Sequence, residues 1–256
     1  MPPLARRNAG GMSPTLNSLT RVLFVALTAG FLQFGLTMGP SSMAPAAHAK
    51  GKSTGNLIAN SSAEKTAGKP SDFAPPAGLK GWKTQGNFTA RRYEGAVADP
   101  QAYGTFLAKN SPGPGSRGRN YFVGAYKTSS ANRGSAVQVI NLAKHRGRIK
   151  QGAKAKLVGW LGGYASNEDK MKVTVTWLNK NGKKVGKPMR LKPVTRLDRD
   201  PTPPEVGDEY TLLAKRKASA TVPKGAWKAK VKLIAVRGNA GVANAYADKL
   251  SLKLKG

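Results

Sequence analysis

Residues that could carry acid–base or nucleophilic chemistry are sparse in this sequence. The chain has no cysteine and only two histidines, of which His145 lies in the basic stretch KHRGRIK. Neighbouring positive charge lowers the proton affinity of an imidazole, so His145 is a poor general base. Neither a phosphate-binding P-loop nor an H-E-x-x-H zinc motif is present. We therefore predict that the protein is not an enzyme.

One stretch concentrates carboxylates. The segment RLDRDPTPPEVGDEY holds five of the twelve acids of the chain. Glycoside hydrolysis by two carboxylates requires a cleft that fixes their separation. A proline-rich, acid-rich loop is typical of solvated chain and gives no such cleft. We assign no catalytic role to these five acids, which are Asp198, Asp200, Glu205, Asp208 and Glu209.

Positive charge dominates the composition. The formal net charge is +31, from 43 lysines and arginines against 12 acids. Such a charge attracts polyanions, and clustered Lys and Arg bind phosphate or sulfate oxygens in a salt-dependent manner. Charge alone makes nucleic acid a candidate partner, and simple solubility is the alternative explanation of each basic run. The predicted polyanion-binding residues are Lys144, Arg146, Arg148, Lys150, Lys215, Arg216 and Lys217.

Aromatic residues near loops are the candidates for sugar binding, because sugar rings stack on flat apolar surfaces while polar groups hold their hydroxyls. Trp227 lies in the turn sequence PKGAW between lysines, so we expect it to be exposed. Tyr103, Tyr121 and Tyr126 flank loops and are the next candidates. The alternative for each ring is burial in the core, since large aromatics are mostly buried.

Hydrophobic periodicity indicates strands throughout. In MKVTVTWLNKNGKKVGK, Val173, Val175 and Trp177 alternate with threonines, and NKNG supplies a tight turn, which predicts a hairpin. The last strand repeats the pattern with leucines at 250, 252 and 254. No stretch shows a sustained helical period. The fold class we predict is all-β, an antiparallel β-sandwich.

The first 49 residues have the pattern of a secretion signal. Arginines precede the apolar run at 22–36, and Ala47 and Ala49 form an A-x-A cleavage site. That run is also short for a membrane span, which needs about 20 residues; an uncleaved anchor is the alternative. We predict a signal peptide at 1–49, a short leader at 50–55 and one sandwich domain at 56–256, secreted and without a membrane span after cleavage.

The order of landmarks resembles the galactose-binding-like jelly-roll family, which includes secreted carbohydrate-binding modules. NLIANSSAE is similar to the family's opening, and GW at 81–82 suits its next landmark. AVQVINL, the 156–186 region, ATVPKGAWKAKVKLIAV and AYADKLSLKL follow in family order, although Ala63 stands where the family usually has an aromatic. The resemblance implies a jelly-roll sandwich that binds carbohydrate non-catalytically, and the charge favours anionic envelope or extracellular polymers. The alternatives are a general polyanion or nucleic-acid binder and a structural or adhesive surface module.

The resemblance also implies a structural calcium ion. In the family, an acid of the first strand and the Asp before the last strand often share calcium, and Glu64 and Asp248 occupy the matching positions here. Ca²⁺ takes several oxygen ligands, chiefly carboxylates and carbonyls. The alternative for Asp248 is a salt bridge or a turn cap.

Overall fold

The fold is known from a computed structural model, which describes residues 51–70, 78–98, 106–124, 133–199, 210–238 and 243–256. The predicted signal peptide lies outside these residues. Ten strands are present in the described part of the chain: β1 (Lys83–Gln85), β2 (Thr89–Arg92), β3 (Asn120–Val123), β4 (Arg133–Asn141), β5 (Lys154–Gly163), β6 (Lys170–Leu178), β7 (Met189–Arg190), β8 (Leu212–Thr221), β9 (Lys228–Val236) and β10 (Ala245–Lys255).

The strands form two antiparallel five-stranded sheets. Sheet I has the order β2-β3-β10-β5-β8, and sheet II has the order β1-β4-β9-β6-β7. From β4 onward the chain passes back and forth between the sheets, as in a jelly roll, with only β6 and β7 as consecutive strands of one sheet. The prediction of an all-β antiparallel sandwich is therefore confirmed.

The core lies between the sheets and follows from strand alternation. Ala229, Val231 and Leu233 of β9 are fully buried while the lysines between them face outward. The leucines at 250, 252 and 254 of β10 also point into the core, and Trp177 of β6 has no exposed surface. Each strand thus buries one face, as the sequence predicts.

The predicted hairpin is present, and its turn is held by Asn179. The Asn179 carbonyl oxygen accepts a hydrogen bond from Gly182 N at 3.1 Å, and the Asn179 N–H donates to Lys183 O at 2.8 Å. Gly182 has φ of +82°, a conformation that favours glycine. Beyond the turn, β7 pairs with β6 through Arg190 and Thr174.

Helical structure is limited to short segments in the described residues. A 3₁₀ helix (Ala143–His145) leads into α1 (Arg146–Lys150), and α2 (Arg196–Arg199) precedes β8. The KHRGRIK stretch is therefore largely helical. Its one apolar side chain, Ile149, is fully buried, which fixes this segment against the sandwich. None of the described helices is long and apolar enough to span a membrane.

A second, smaller cluster covers part of the outer face of sheet I. Tyr121 and Tyr246 project outward from β3 and β10, and Tyr93 and Leu107 pack over them from the segment that follows β2. The ring centroids of Tyr93 and Tyr121 are 4.9 Å apart, and those of Tyr121 and Tyr246 are 5.1 Å apart. This cluster does not cover the part of the outer face of sheet I near Lys154, which is at the opposite end of β5 from Gly163.

Candidate functional site

The uncovered part of the outer face of sheet I presents lysines from three adjacent strands. Lys156 pairs in register with Lys253, and Lys154 with Lys255. On the other side of β5, Lys215 of β8 lies opposite Trp160, and Lys217 lies opposite Val158. Directly paired residues project from the same side of a sheet. We name this surface the lysine face; all six of its lysines are exposed: Lys154, Lys156, Lys215, Lys217, Lys253 and Lys255.

These lysines have no acidic partner in the described part of the chain. The ion pairs found there join arginines to acids at other places. Like charges directly opposite each other on neighbouring strands destabilise a sheet. The lysine face therefore holds unneutralised charge that an external anion can neutralise.

The local absence of acids extends over one whole end of the sandwich. Register brings the ends of β4, β5, β6, β8, β9 and β10 together there. The segments that form this end contain seventeen lysines and arginines and no Asp or Glu. They are residues 139–158, 174–187, 217–232 and 251–255.

One aromatic ring and several hydroxyls lie among the lysines. Trp160 is half-buried, and Lys215 Nζ lies 5.7 Å from the centroid of its ring. Ser219 and Thr221 of β8 lie opposite Lys156 and Lys154, and Ser251 of β10 lies opposite Val158. The face can thus offer ammonium donors, hydroxyl groups and the partial surface of one indole.

The geometry suits a repeated anion. Lysines two residues apart on one strand are separated by about 6.6 Å, and paired lysines on adjacent strands by about 5 Å between Cα atoms. An ammonium group is a point charge with three rotatable donors, so it tolerates carboxylate, sulfate and phosphate alike. Six such groups on a flat surface match an extended polymer better than a single small anion.

The structure separates the members of each of the two predicted basic runs, 144–150 and 215–217. In the run 215–217, Lys215 and Lys217 belong to the lysine face, whereas Arg216 points to the other side of β8. The Arg216 guanidinium binds the Asp198 carboxylate at 2.8 Å. We therefore correct the prediction for Arg216, whose charge is already used in an internal ion pair.

The run 144–150 lies at the end of the sandwich that contains no acids, and its members also differ in their contacts. Lys144 and Lys150 are exposed. Arg146 Nη1 donates to the carbonyl oxygens of Lys224 and Ala226, both at 2.7 Å. Arg148 donates to the carbonyl oxygens of Lys52 and of Leu254, the latter at 3.4 Å. Both arginines thus hold neighbouring chain segments in place. Burial, followed by the charges of Arg148 and Lys144, lowers the pKa of His145.

The predicted sugar-binding aromatics have different environments. Trp227 is half-buried, with Arg146 Cζ at 4.8 Å and Lys180 Nζ at 5.8 Å from its ring centroid. Tyr121 is fully buried in the outer cluster. This burial corrects the prediction for Tyr121, which has no exposed surface for a sugar ring. Tyr103 and Tyr126 lie outside the described residues.

The two predicted calcium ligands are both engaged by hydrogen-bond donors. Glu64 accepts from the backbone N–H groups of Arg119 at 3.1 Å and Asn120 at 2.9 Å. Asp248 is fully buried; it accepts from Tyr93 Oη at 2.9 Å and from Lys249 N at 2.6 Å.

Asp248 is under electrostatic strain at neutral pH. Burial raises its pKa to about 6, and the charge of Glu64 contributes in the same direction. A cation near the carboxylates of Glu64 and Asp248 would relieve this strain. Each carboxylate oxygen accepts one hydrogen bond and keeps a second lone pair for a metal ion. No group of three or more metal-binding His, Cys, Asp or Glu side chains occurs among the residues that the structure describes. The calcium site stays a prediction.

A serine-hydrolase pattern also occurs near the start of the described chain. Residues 51–55, GKSTG, match G-x-S-x-G. In hydrolases that motif forms a sharp strand-to-helix turn. Ser53 instead forms an isolated antiparallel bridge with Lys255, and its hydroxyl donates to Thr54 O at 3.3 Å. The match carries no catalytic geometry.

What sequence reasoning missed is the assembly of the lysine face. The Lys-x-Lys spacing of β5, β8 and β10 was visible, and it predicts outward lysines on each strand. It does not show that these three strands are neighbours in one sheet. Trp160, Lys253 and Lys255 enter the site only through that pairing.

Comparisons with known proteins give distant likenesses only. No protein-family model matches the chain, and no curated protein matches it significantly. Among solved structures, the enzymatically active domain of bacteriophage CBA120 tailspike protein 4 is 12% identical with a TM-score of 0.43, over 78% of this chain and 21% of that one. The C-terminal family 22 carbohydrate-binding module of Clostridium thermocellum Xyn10B is 9% identical with a TM-score of 0.38, over 68% of this chain and 86% of that one.

A third solved structure has a similar degree of likeness. The CBM22-1 xylan-binding domain of Paenibacillus barcinonensis Xyn10C is 12% identical with a TM-score of 0.34, over 70% of this chain and 89% of that one. Similarity at this level assigns the chain neither to a family nor to an activity. The class that the structure itself defines is a two-sheet antiparallel β-sandwich with a cationic outer face.

Proposed function

We propose that the protein is a secreted, non-catalytic binding module that holds anionic glycan polymers of the cell envelope or the extracellular space. The observation that carries this proposal is the lysine face: six exposed lysines from three paired strands, with no acidic partner in the described part of the chain. Secretion rests on the signal-peptide pattern of residues 1–49.

A hydrated polymer fits this face better than an apolar partner does. Among the lysines lie the hydroxyls of Ser219, Thr221 and Ser251 together with Val158, and the aromatic ring of this face, Trp160, is half-buried. Hydroxyls and ammonium groups can replace the water around a carboxylated or phosphorylated sugar chain. The partial indole surface can contact one ring face of such a chain.

Binding that is driven by exposed lysines must depend on salt. Each exposed ion pair contributes about 0.2–1 kcal/mol, so affinity arises from several contacts together. Neutralising several anions also releases their counterions, which makes affinity fall steeply as salt rises. The general polyanion binder, our alternative, shares this property, so salt dependence alone does not separate the two functions.

The test is a binding panel with a matched pair of variants. The face variant carries Lys154→Gln, Lys156→Gln, Lys253→Gln and Lys255→Gln. The control variant carries four Gln substitutions at exposed lysines outside the strands: Lys65, Lys80, Lys109 and Lys187. Both variants lose the same charge, so only the location differs. Affinity for polygalacturonate, poly(glycerol phosphate), single-stranded DNA and neutral xylan is measured at low and high salt.

We expect the face variant to bind polygalacturonate or poly(glycerol phosphate) at least about tenfold more weakly, since it lacks four contacts of the size given above. The control variant should bind nearly as well as the wild type. Equal losses in the two variants would show that only net charge matters. Preference for DNA over every acidic polymer would favour the nucleic-acid alternative.

The calcium ion at Glu64 and Asp248 is part of the same proposal. What supports it is oxygen-donor chemistry and the relief that a cation would give to a buried carboxylate. Such an ion would join the 60–68 segment to the last strand and leave the lysine face free.

A further inference from the structure

The outer face of sheet II is a second cationic surface. Ala229, Val231 and Leu233 of β9 face the core, so the lysines at 228, 230 and 232 face outward. Register places further cations from β1, β4, β6 and β7 on the same side. We name this surface the opposite face; its cations are Lys83, Arg133, Lys170, Lys172, Arg190, Lys228, Lys230 and Lys232.

The neighbours of these cations are neutral. Lys230 lies between Val139 and Thr176, and Lys232 lies between Val137 and Thr174. Val139 is 54% exposed. No Asp or Glu of the described chain lies on these strands of sheet II. The opposite face therefore also holds positive charge that no acid of these strands neutralises.

The two faces are too far apart to act as one site. Packed sheets lie about 10 Å apart, and outward lysine side chains add several ångströms on each side. The Debye length at physiological ionic strength is about 8 Å. An anion that neutralises one face thus leaves the potential of the other face nearly unchanged.

We propose that the protein bridges two anionic glycan chains, one bound to the lysine face and one to the opposite face. This inference rests on the proposed function of the lysine face and adds a second, independent binding surface. The complex with one chain keeps a cationic surface that attracts another chain. The protein thereby cross-links the polymer.

The surroundings of the opposite face favour a glycan over nucleic acid. Single strands of DNA or RNA are held largely by stacking of bases on aromatic rings. The outward positions of the five strands of sheet II carry no aromatic residue, since Trp177 points into the core. The outward positions carry threonine hydroxyls and lysine ammonium groups beside valine and isoleucine side chains. The hydroxyls and ammonium groups suit hydroxylated, carboxylated sugars.

The test uses the purified protein with two probes at low salt. A galacturonate hexasaccharide gives the stoichiometry by calorimetry. Long polygalacturonate gives cross-linking by light scattering. We compare the wild type with the face variant defined above and with an opposite-face variant that carries Lys172→Gln, Arg190→Gln, Lys230→Gln and Lys232→Gln.

We expect two hexasaccharides per wild-type protein and one per protein in each variant. Scattering by long polygalacturonate should rise at least about tenfold with the wild type and stay near the baseline with either variant, although both variants still bind the polymer. Retained cross-linking in either variant, or one hexasaccharide per wild-type protein, would overturn the inference while leaving the proposed function intact. Absence of all glycan binding would overturn both.

An arm with a single-stranded thymidine oligonucleotide tests the choice of partner. The opposite face should bind the hexasaccharide in preference to the oligonucleotide at equal charge. If the face variant binds the oligonucleotide but not the hexasaccharide, the opposite face is a nucleic-acid surface and the glycan bridge is wrong.

Discussion

Lys156 and Lys253 lie directly opposite each other on the adjacent antiparallel strands β5 and β10, and both are exposed. Two ammonium groups in this arrangement repel each other, which lowers the stability of the sheet. An anion between them converts the repulsion into attraction. The pair thus relates fold stability to ligand binding at the proposed site.

Replacing one member of this pair with an acid should stabilise the fold and weaken anion binding. We predict that Lys253→Glu stabilises the protein by about 0.2–1 kcal/mol at low salt, because an opposite-charge pair replaces a like-charge pair. The same change should weaken binding of polygalacturonate. Urea denaturation and a binding titration check the two effects. A gain in stability that is equally large at high salt would contradict the electrostatic explanation, because salt screens exposed charges.

The Asp198–Arg216 ion pair predicts an acid-dependent loss of stability. Burial raises the pKa of Asp198, but hydrogen bonds from Thr195 and the charge of Arg216 more than offset this, so the pKa lies below its usual 3.8. A carboxyl whose folded pKa is depressed stabilises the fold above the unfolded pKa, and this contribution is lost as pH falls through the folded pKa.

We therefore expect the stability of the wild type, relative to Asp198→Asn, to fall as pH is lowered below about 3.8. Above that pH the variant should be less stable by about 0.5–1 kcal/mol, the size of a partly exposed ion pair. The measurement is urea denaturation of both proteins across the acidic range. A constant stability difference at every pH would show that the carboxylate charge is not involved.

The calcium prediction can be tested through stability. If Glu64 and Asp248 bind calcium, adding the ion should raise Tm, and a site occupied at 100 times its Kd stabilises the fold by about 2.7 kcal/mol. Asp248→Asn should remove the calcium-dependent part. Its side chain still accepts the Tyr93 hydrogen bond, so the fold is kept. Thermal unfolding with calcium or a chelator is the measurement, and a Tm that chelator leaves unchanged in the wild type would count against the site.

Trp227 remains a predicted sugar contact, and the cations around its ring determine what its replacement should do to glycan binding. Arg146 and Lys180 lie near its ring, so a bound sugar must share the indole with cations. If the ring stacks on a sugar, Trp227→Ala should weaken glycan binding about fivefold at high salt, the size of one aromatic contact of about 1 kcal/mol. Unchanged affinity at high salt would exclude the ring from the site. Lys180→Gln, which keeps the ring, serves as the control.

Strand faces were predictable because alternation is local. Val173, Val175 and Trp177 share a face in sequence and in structure, and the NKNG turn after them contains its own signal, a glycine at the position of positive φ. The pairing of β10 with both β3 and β5 is set by contacts far apart in sequence, for which one sequence holds no local signal.

Two local irregularities also escaped prediction. The register of β10 shifts between Asp248 and Ser251, and Lys249 adopts φ of +48°. This bulge puts Asp248 on the outer side of sheet I, under Tyr93, where burial changes its chemistry. The burial of Tyr121 was also not predictable, because the segment that covers it shows no hydrophobic periodicity in the sequence.

The most direct test of the central claim is lysine footprinting. The protein is acetylated with and without polygalacturonate at low salt, and each site is quantified by mass spectrometry. We predict at least about threefold protection of the lysines at 154, 156, 253 and 255, and little protection of the exposed lysines at 65, 80, 109 and 187. Uniform protection of both groups would contradict a binding site on the lysine face.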